Sequence, residues 1–144
     1  MAFSDNVRKA LQDRASLVSA QGMTAVATQV ATGGTSTKTN TSRHVAKAFV
    51  VASLLAASPT GYAQSCRALA SAEDPSYQSI KAPTLIIAAS EDKTAPDATT
   101  EKLANRIVGA RRVVVQDVGH WLLVEDVEEV AEEFRQFLTT ANGH

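Results

Sequence analysis

The sequence predicts an α/β chain in two parts: a helical first half, then a strand, helix, strand and helix whose two strands run parallel. Three observations carry this reading. Val7, Leu11, Ala15 and Val18 recur at spacings of three and four, the one-sided stripe of an amphipathic helix. Thr84-Leu85-Ile86-Ile87-Ala88 is a short continuous apolar run behind Pro83, which suits a strand buried on both faces and therefore a parallel sheet. Arg112-Val113-Val114-Val115-Gln116 is a second, β-branched run with a helical stretch between it and the first.

In chain order, Ser4 or Asp5 offers an N-cap to the first helix, which should end near Gln21-Gly22. A second short helix is expected from Met23 to Val30. The composition then changes at residues 33–42, which hold two adjacent glycines and no apolar side chain, the signature of a mobile loop. Helical pattern resumes from about Arg43 to Ala57, is broken by Ser58-Pro59, and restarts from Gly61 to Ala72. Beyond the first strand, Pro96 and Asp97 introduce a helix through about Ile107, Gly109 can terminate it, and a last helix should run from Val127 to Leu138. Its acidic run, Glu125-Asp126, Glu128-Glu129 and Glu132-Glu133, reads as a solvated face that also favours the helix N-terminus. Asn142, Gly143 and His144 read as a frayed end.

Composition narrows the function. A chain of 144 residues is about one domain. Its 14 lysines and arginines against 15 acids give a net charge of -1, so it lacks the basic footprint that nucleic acid selects. The lone Cys66 cannot form an intramolecular disulfide, and no Cys/His cluster has metal-ligand spacing, so neither a metal nor a cofactor is expected. The run Ala48 to Ala57 behind Lys47, followed by Gly61-Tyr62-Ala63-Gln64 and Cys66, imitates a secretory signal. A cleaved signal occupies the N-terminus, however, and this run is far too short to span a bilayer, so a buried helix is expected there, and the default compartment is cytoplasmic.

The chemistry gathers after the two strands, where open parallel sheets place their ligand sites. Asp92 follows the first strand and His120 the second. Neighbouring parallel strands set their C-terminal loops side by side, which can bring these residues within hydrogen-bond reach. A carboxylate placed there orients an imidazole and stabilises its protonated form, as in a nucleophile, histidine and acid triad. Taken singly, Asp92 also suits a turn or a helix cap, and His120 a loop histidine bonded to Asp117 or Glu125. Trp121 beside it reads as a packing aromatic.

These residues carry a family resemblance. Ala82-Pro83-Thr84-Leu85-Ile86-Ile87-Ala88 followed by Ser90-Glu91-Asp92-Lys93-Thr94-Ala95-Pro96 resembles the strand and acid loop of α/β-hydrolases. Gly109-Ala110, the strand Arg112 to Gln116, Val118-Gly119-His120-Trp121, Glu125 and the helix ending Phe134-Arg135-Gln136-Phe137-Leu138 resemble the family's histidine segment and last helix. Ser58 to Leu69 is similar to the cap of the 3-oxoadipate enol-lactonase-like branch, and Arg14 to Met23 to its first cap helix. The resemblance implies a partial α/β-hydrolase, with a helical cap-like region over residues 1–75, flexible at 33–42, and a C-terminal hydrolase portion over 76–144. It implies a small ester or lactone substrate, with Asp92 as the catalytic acid and His120 as the catalytic histidine.

The chain departs from the family pattern in one respect: it contains no Gly-x-Ser-x-Gly elbow. Cys66 is expected as a small buried hydrophobe in a cap helix, and Ser36 beside Gly33-Gly34 lacks the flanking strand and helix of an elbow. Two expectations from different classes follow. Either the chain is part of an ester or lactone hydrolase whose nucleophile lies elsewhere, or it is an inactive, degenerate member acting as an interaction module. Both leave the strands Leu85 to Ala88 and Val113 to Val115 partly uncovered, which favours a complementary chain or self-association.

Overall fold

The computed structural model describes residues 3–141, so the expected frayed end at Asn142, Gly143 and His144 lies outside the described residues. Two compact units are present. One combines the chain up to Thr32 with Ala48–Pro75; the other combines Gly33–Lys47 with the chain from Ser76 onward. Residues 33–47, expected with the first part of the chain, therefore group with the second.

The first unit is helical. Helix α1 spans Asp5–Gln21 behind an extended Ser4, and it stops at Gly22, whose φ of 75° is a conformation that side chains other than glycine rarely adopt. A single 3-10 turn, Met23–Ala25, leads into α2, Ala27–Gly34. Helix α5, Pro59–Ser71, begins two residues before the expected Gly61: Ser58 Oγ accepts from Gly61 N at 3.3 Å, and Pro59 sits in the first turn, where no amide hydrogen is missed. Helices α1 and α5 pack on one another through Ala15, Ala63 and Cys66, with Tyr62 against them. Arg8 on α1 donates to the carbonyls of Ala70 and Ala72 at the end of α5, supplying a cation where the helix carbonyls have no intrahelical partner.

Helix α4, His44–Ala56, holds the apolar run that was expected to be a buried helix. Burial is confined to one stripe, Val50 and Leu54, while Val45, Phe49 and Leu55 are exposed. Its apolar residues exceed what one packed face can cover. Among the described residues, no single helix is long and apolar enough to cross a membrane.

The second unit contains the sheet. Strands β1, Leu85–Ala89, and β2, Arg111–Val115, pair in parallel, with Leu85 opposite Arg111 and Ala89 opposite Val115. Helix α6, Asp97–Arg106, connects them and ends at Ile107 rather than at Gly109. Gly109, at φ 76°, instead serves the turn in which Ala110 N donates to Ile107 O. Arg112 on β2 binds Asp97 and Thr100 on α6, fixing the helix to the strand it precedes. Helix α8, Val127–Ala141, covers the core formed by Ala89, Val115, Val118 and Val130, with Ile87 and Leu122 packed against it. Leu85, Ile87, Val113 and Val114 are only half-buried, so the two strands are partly uncovered and not buried on both faces.

Residues 33–42 correct the sequence reading. The segment is not a featureless loop: α3 occupies Thr37–Thr41, capped by Ser36, whose Oγ accepts from Thr39 N at 3.2 Å. Thr35, Ser36 and Thr39 are buried. Ser36 N donates to the Glu125 carboxylate, 89 positions away, a partner that composition alone cannot reveal.

Candidate active site

The site is built at the C-terminal ends of β1 and β2. The chain leaves β1 as Ser90-Glu91-Asp92, and this loop is tied to the one after β2 by main-chain bonds: Ser90 N donates to Val115 O, and Glu91 N to Val118 O, both at 2.9 Å. Asp117, at φ 56°, makes the bend that turns the second loop back, and its N donates to Ser90 Oγ at 3.0 Å. The two loops are thus cross-linked before any functional side chain is considered.

On this base Asp92 and His120, 28 positions apart, meet: His120 Nδ1 lies 2.9 Å from Asp92 Oδ2. The other carboxylate oxygen, Oδ1, accepts from Thr94 N at 2.7 Å and Ala95 N at 2.9 Å, so the acid is held from both sides. Burial pushes the Asp92 carboxyl upward, but the hydrogen bonds from His120, Ala95 and Thr94 outweigh it and hold the group below its ordinary value. The Asp92 side chain is 8 % exposed and that of His120 44 %, so the acid is sheltered while the imidazole faces outward. An ionised Asp92 keeps the ring proton on Nδ1 and leaves Nε2 free to accept a proton.

Neither local alternative for His120 describes its partner. Asp117 pairs with Lys38, and the Glu125 side chain turns away to other groups. Trp121 is half-buried, with its ring edge-on to the His120 ring at 6.3 Å and its indole nitrogen against Gly34. Among the described residues, no group of three or more His, Cys, Asp or Glu is placed to hold a metal ion. Cys66 is buried in the first unit, where burial pushes its thiol upward despite Arg14 and Arg67, the opposite of an activated nucleophile.

Sequence reasoning missed Glu125. Its acidic run reads as a solvated face, yet Glu125 is 4 % exposed, at the end of the short helix α7, Leu122–Glu125. Its Oε1 accepts from Gly119 N at 3.0 Å and its Oε2 from Ser36 N at 2.8 Å. Two backbone amides thus compensate its desolvation. Glu91 was also missed; its Oε2 accepts from Thr37 N at 2.8 Å and Thr37 Oγ1 at 2.7 Å, and these bonds pull its carboxyl below the ordinary value. The available signal was position alone, since each glutamate lies within a few residues of Asp92 or His120.

Residues 5–127 match the family model of the alpha/beta hydrolase fold. The chain belongs to the α/β-hydrolase family. Solved structures with the same fold include an enol-lactonase from Burkholderia xenovorans, 29% identical, with a TM-score of 0.82 over 88% of this chain and 49% of that one. A thermophilic esterase from Thermogutta terrifontis is 22% identical, with a TM-score of 0.90 over 97% of this chain and 52% of that one. A hydrolase from Pseudomonas aeruginosa is 22% identical, with a TM-score of 0.83 over 95% and 51%. This α/β-hydrolase chain therefore spans about half the length of the solved structures it matches. No functionally curated protein matches it significantly.

Proposed function

We propose that this chain carries the acid and base of a nucleophile, histidine and acid triad that hydrolyses a carboxylic ester or lactone. The observation that carries the reading is the 2.9 Å contact between a sheltered Asp92 and an outward-facing His120 at the ends of adjacent parallel strands. In this reading Asp92 holds the imidazole with its proton on Nδ1, and Nε2 removes the proton of the attacking hydroxyl or thiol as that atom bonds to the substrate carbonyl carbon. The imidazolium, stabilised by Asp92, then returns the proton to the leaving alkoxide as the acyl–oxygen bond breaks. Water repeats the cycle on the acyl intermediate. Asp92 itself stays ionised throughout, in keeping with a carboxyl held below its ordinary value.

The substrate class rests on the similarity to the enol-lactonase. The nucleophile comes from outside these 144 residues, which contain no Gly-x-Ser-x-Gly elbow. A complementary chain or a second copy would cover the half-buried strands, and we assign the protein to the cytoplasm, where a lone unpaired cysteine is the norm. The second reading, an interaction module without catalysis, is favoured by that same missing elbow.

The test is hydrolysis of a chromogenic short-chain ester and of an enol-lactone by the chain purified with its partners from its own cells, beside His120→Ala prepared identically. Activity that the substitution abolishes supports the hydrolase. Activity that is absent, or indifferent to the substitution, favours the interaction module.

A further inference from the structure

The segment Gly34–Thr37 touches both loops of the candidate site. Gly34 O accepts from His120 N at 2.7 Å. Ser36 N binds the buried Glu125 carboxylate, whose other oxygen holds Gly119 N, the amide next to His120. Thr37 binds Glu91, the residue next to Asp92, through both its amide and its hydroxyl. The approach is close: a Cβ on Gly119 would lie 2.5 Å from Gly34 O and 2.9 Å from Ser36 N. One short stretch of backbone thus grips the immediate neighbours of both members of the pair, through two carboxylates that the proton-transfer steps do not use.

We propose that Gly34–Thr37 is a positioning strap, with Glu91 and Glu125 as positioning residues that hold the Asp92 and His120 loops in mutual register. Its catalytic meaning rests on the reading given above; its effect on the His120 ring does not. A 2.9 Å hydrogen bond between side chains on two loops tolerates little relative movement, because such bonds weaken steeply with distance and angle. The bonds across the two loops, Ser90 N to Val115 O and Glu91 N to Val118 O, set the spacing of their bases. The strap acts farther out, on the residues flanking the side chains themselves. Charge-assisted bonds to backbone amides suit this task, being stronger than neutral ones and directed at main chain rather than at mobile side chains.

The experiment reads the imidazole nitrogen shifts of His120 by NMR, on the full chain, at a pH where the ring is neutral. These shifts give the ratio of the Nδ1–H to the Nε2–H tautomer. Asp92→Ala sets the ratio for a ring without its partner. Glu125→Gln replaces one acceptor with an amide donor that faces a backbone N–H. Glu91→Ala removes a side chain from the surface, so that folding survives even where the buried substitution is not tolerated. Both should lower the ratio several-fold toward that of Asp92→Ala while the remaining amide spectrum stays native. Thr37→Ser, which keeps the amide and the hydroxyl, should retain the wild-type ratio. A ratio lowered by Asp92→Ala but unmoved in folded Glu91→Ala overturns the strap and leaves the pair standing. A ratio that Asp92→Ala does not move overturns the pair, and the strap with it.

Discussion

Gly119 and Gly34 lie so close that a Cβ on the first would stand 2.5 Å from the carbonyl oxygen of the second. The same carbonyl accepts from His120 N at 2.7 Å, so the histidine loop is seated directly on backbone. Backbone cannot rotate aside as a side chain can. We predict that Gly119→Ala costs about 1 to 3 kcal/mol, the usual range for overpacking, and lowers the thermal midpoint by several degrees. A melting curve checks it, and an unchanged midpoint would show that this approach is not tight in solution.

Arg8 gives a prediction for the helical unit. Its guanidinium donates to the carbonyls of Phe3, Ala70 and Ala72, joining the start of α1 to the end of α5. Arg8→Ala strands the partly buried carbonyls of Phe3 and Ala70 and should cost about 1 to 3 kcal/mol. Arg8→Lys should recover only part of that, because an ammonium lacks the planar fork. Denaturant titrations of the three proteins give the comparison.

The acid limb of stability follows from Asp92 and Glu91. Both carboxyls are held below their ordinary values, 3.8 and 4.5, in the folded chain. A depressed folded value means that the unfolded state takes up protons first as pH falls. The stabilisation is therefore fully present above those ordinary values and is lost as pH drops through the lower folded ones. We predict that the wild-type midpoint falls on acidification below about pH 4.5 and that Asp92→Asn flattens this limb. Equal slopes for the two proteins between pH 5 and 3, read as melting temperature against pH on the scale of about one unit either side of the ordinary carboxyl values, would contradict the assignment.

Cys66 should be inert while the chain is folded. It is buried between α1 and α5, and burial pushes its thiol upward. Reaction with a chromogenic disulfide reagent should be slow in buffer and complete quickly in denaturant. Rapid reaction under native conditions would reopen it as a nucleophile.

The elements that sequence made legible are those whose stability is local or strongly patterned. The stripe from Val7 to Val18, the Ser58-Pro59 start and the apolar run behind Pro83 each determine their own conformation, and α1, α5 and β1 begin within a residue or two of expectation. The pairing of Asp92 with His120 was legible for a topological reason: adjacent parallel strands deliver their C-terminal loops together. What escaped was held by distant polar partners. Residues 35–39 are as hydrophilic as a loop, and they are ordered into a cap and a helical turn by Glu91 and Glu125, which lie 54 and 89 positions away from the residues they bind. Glu125 belongs to a run of acids that is otherwise largely surface, and no periodicity separates it from Glu128 or Glu129.

The central claim is that Asp92 holds His120 as a base. Its most direct test is the rate of ester or lactone hydrolysis by Asp92→Asn against wild type, in the assembly that shows activity. Asparagine keeps the shape of the contact but cannot stabilise the imidazolium or enforce the Nδ1–H tautomer. The account predicts a fall in kcat of about ten-thousandfold with little change in KM; a kcat within a few-fold of wild type would contradict it.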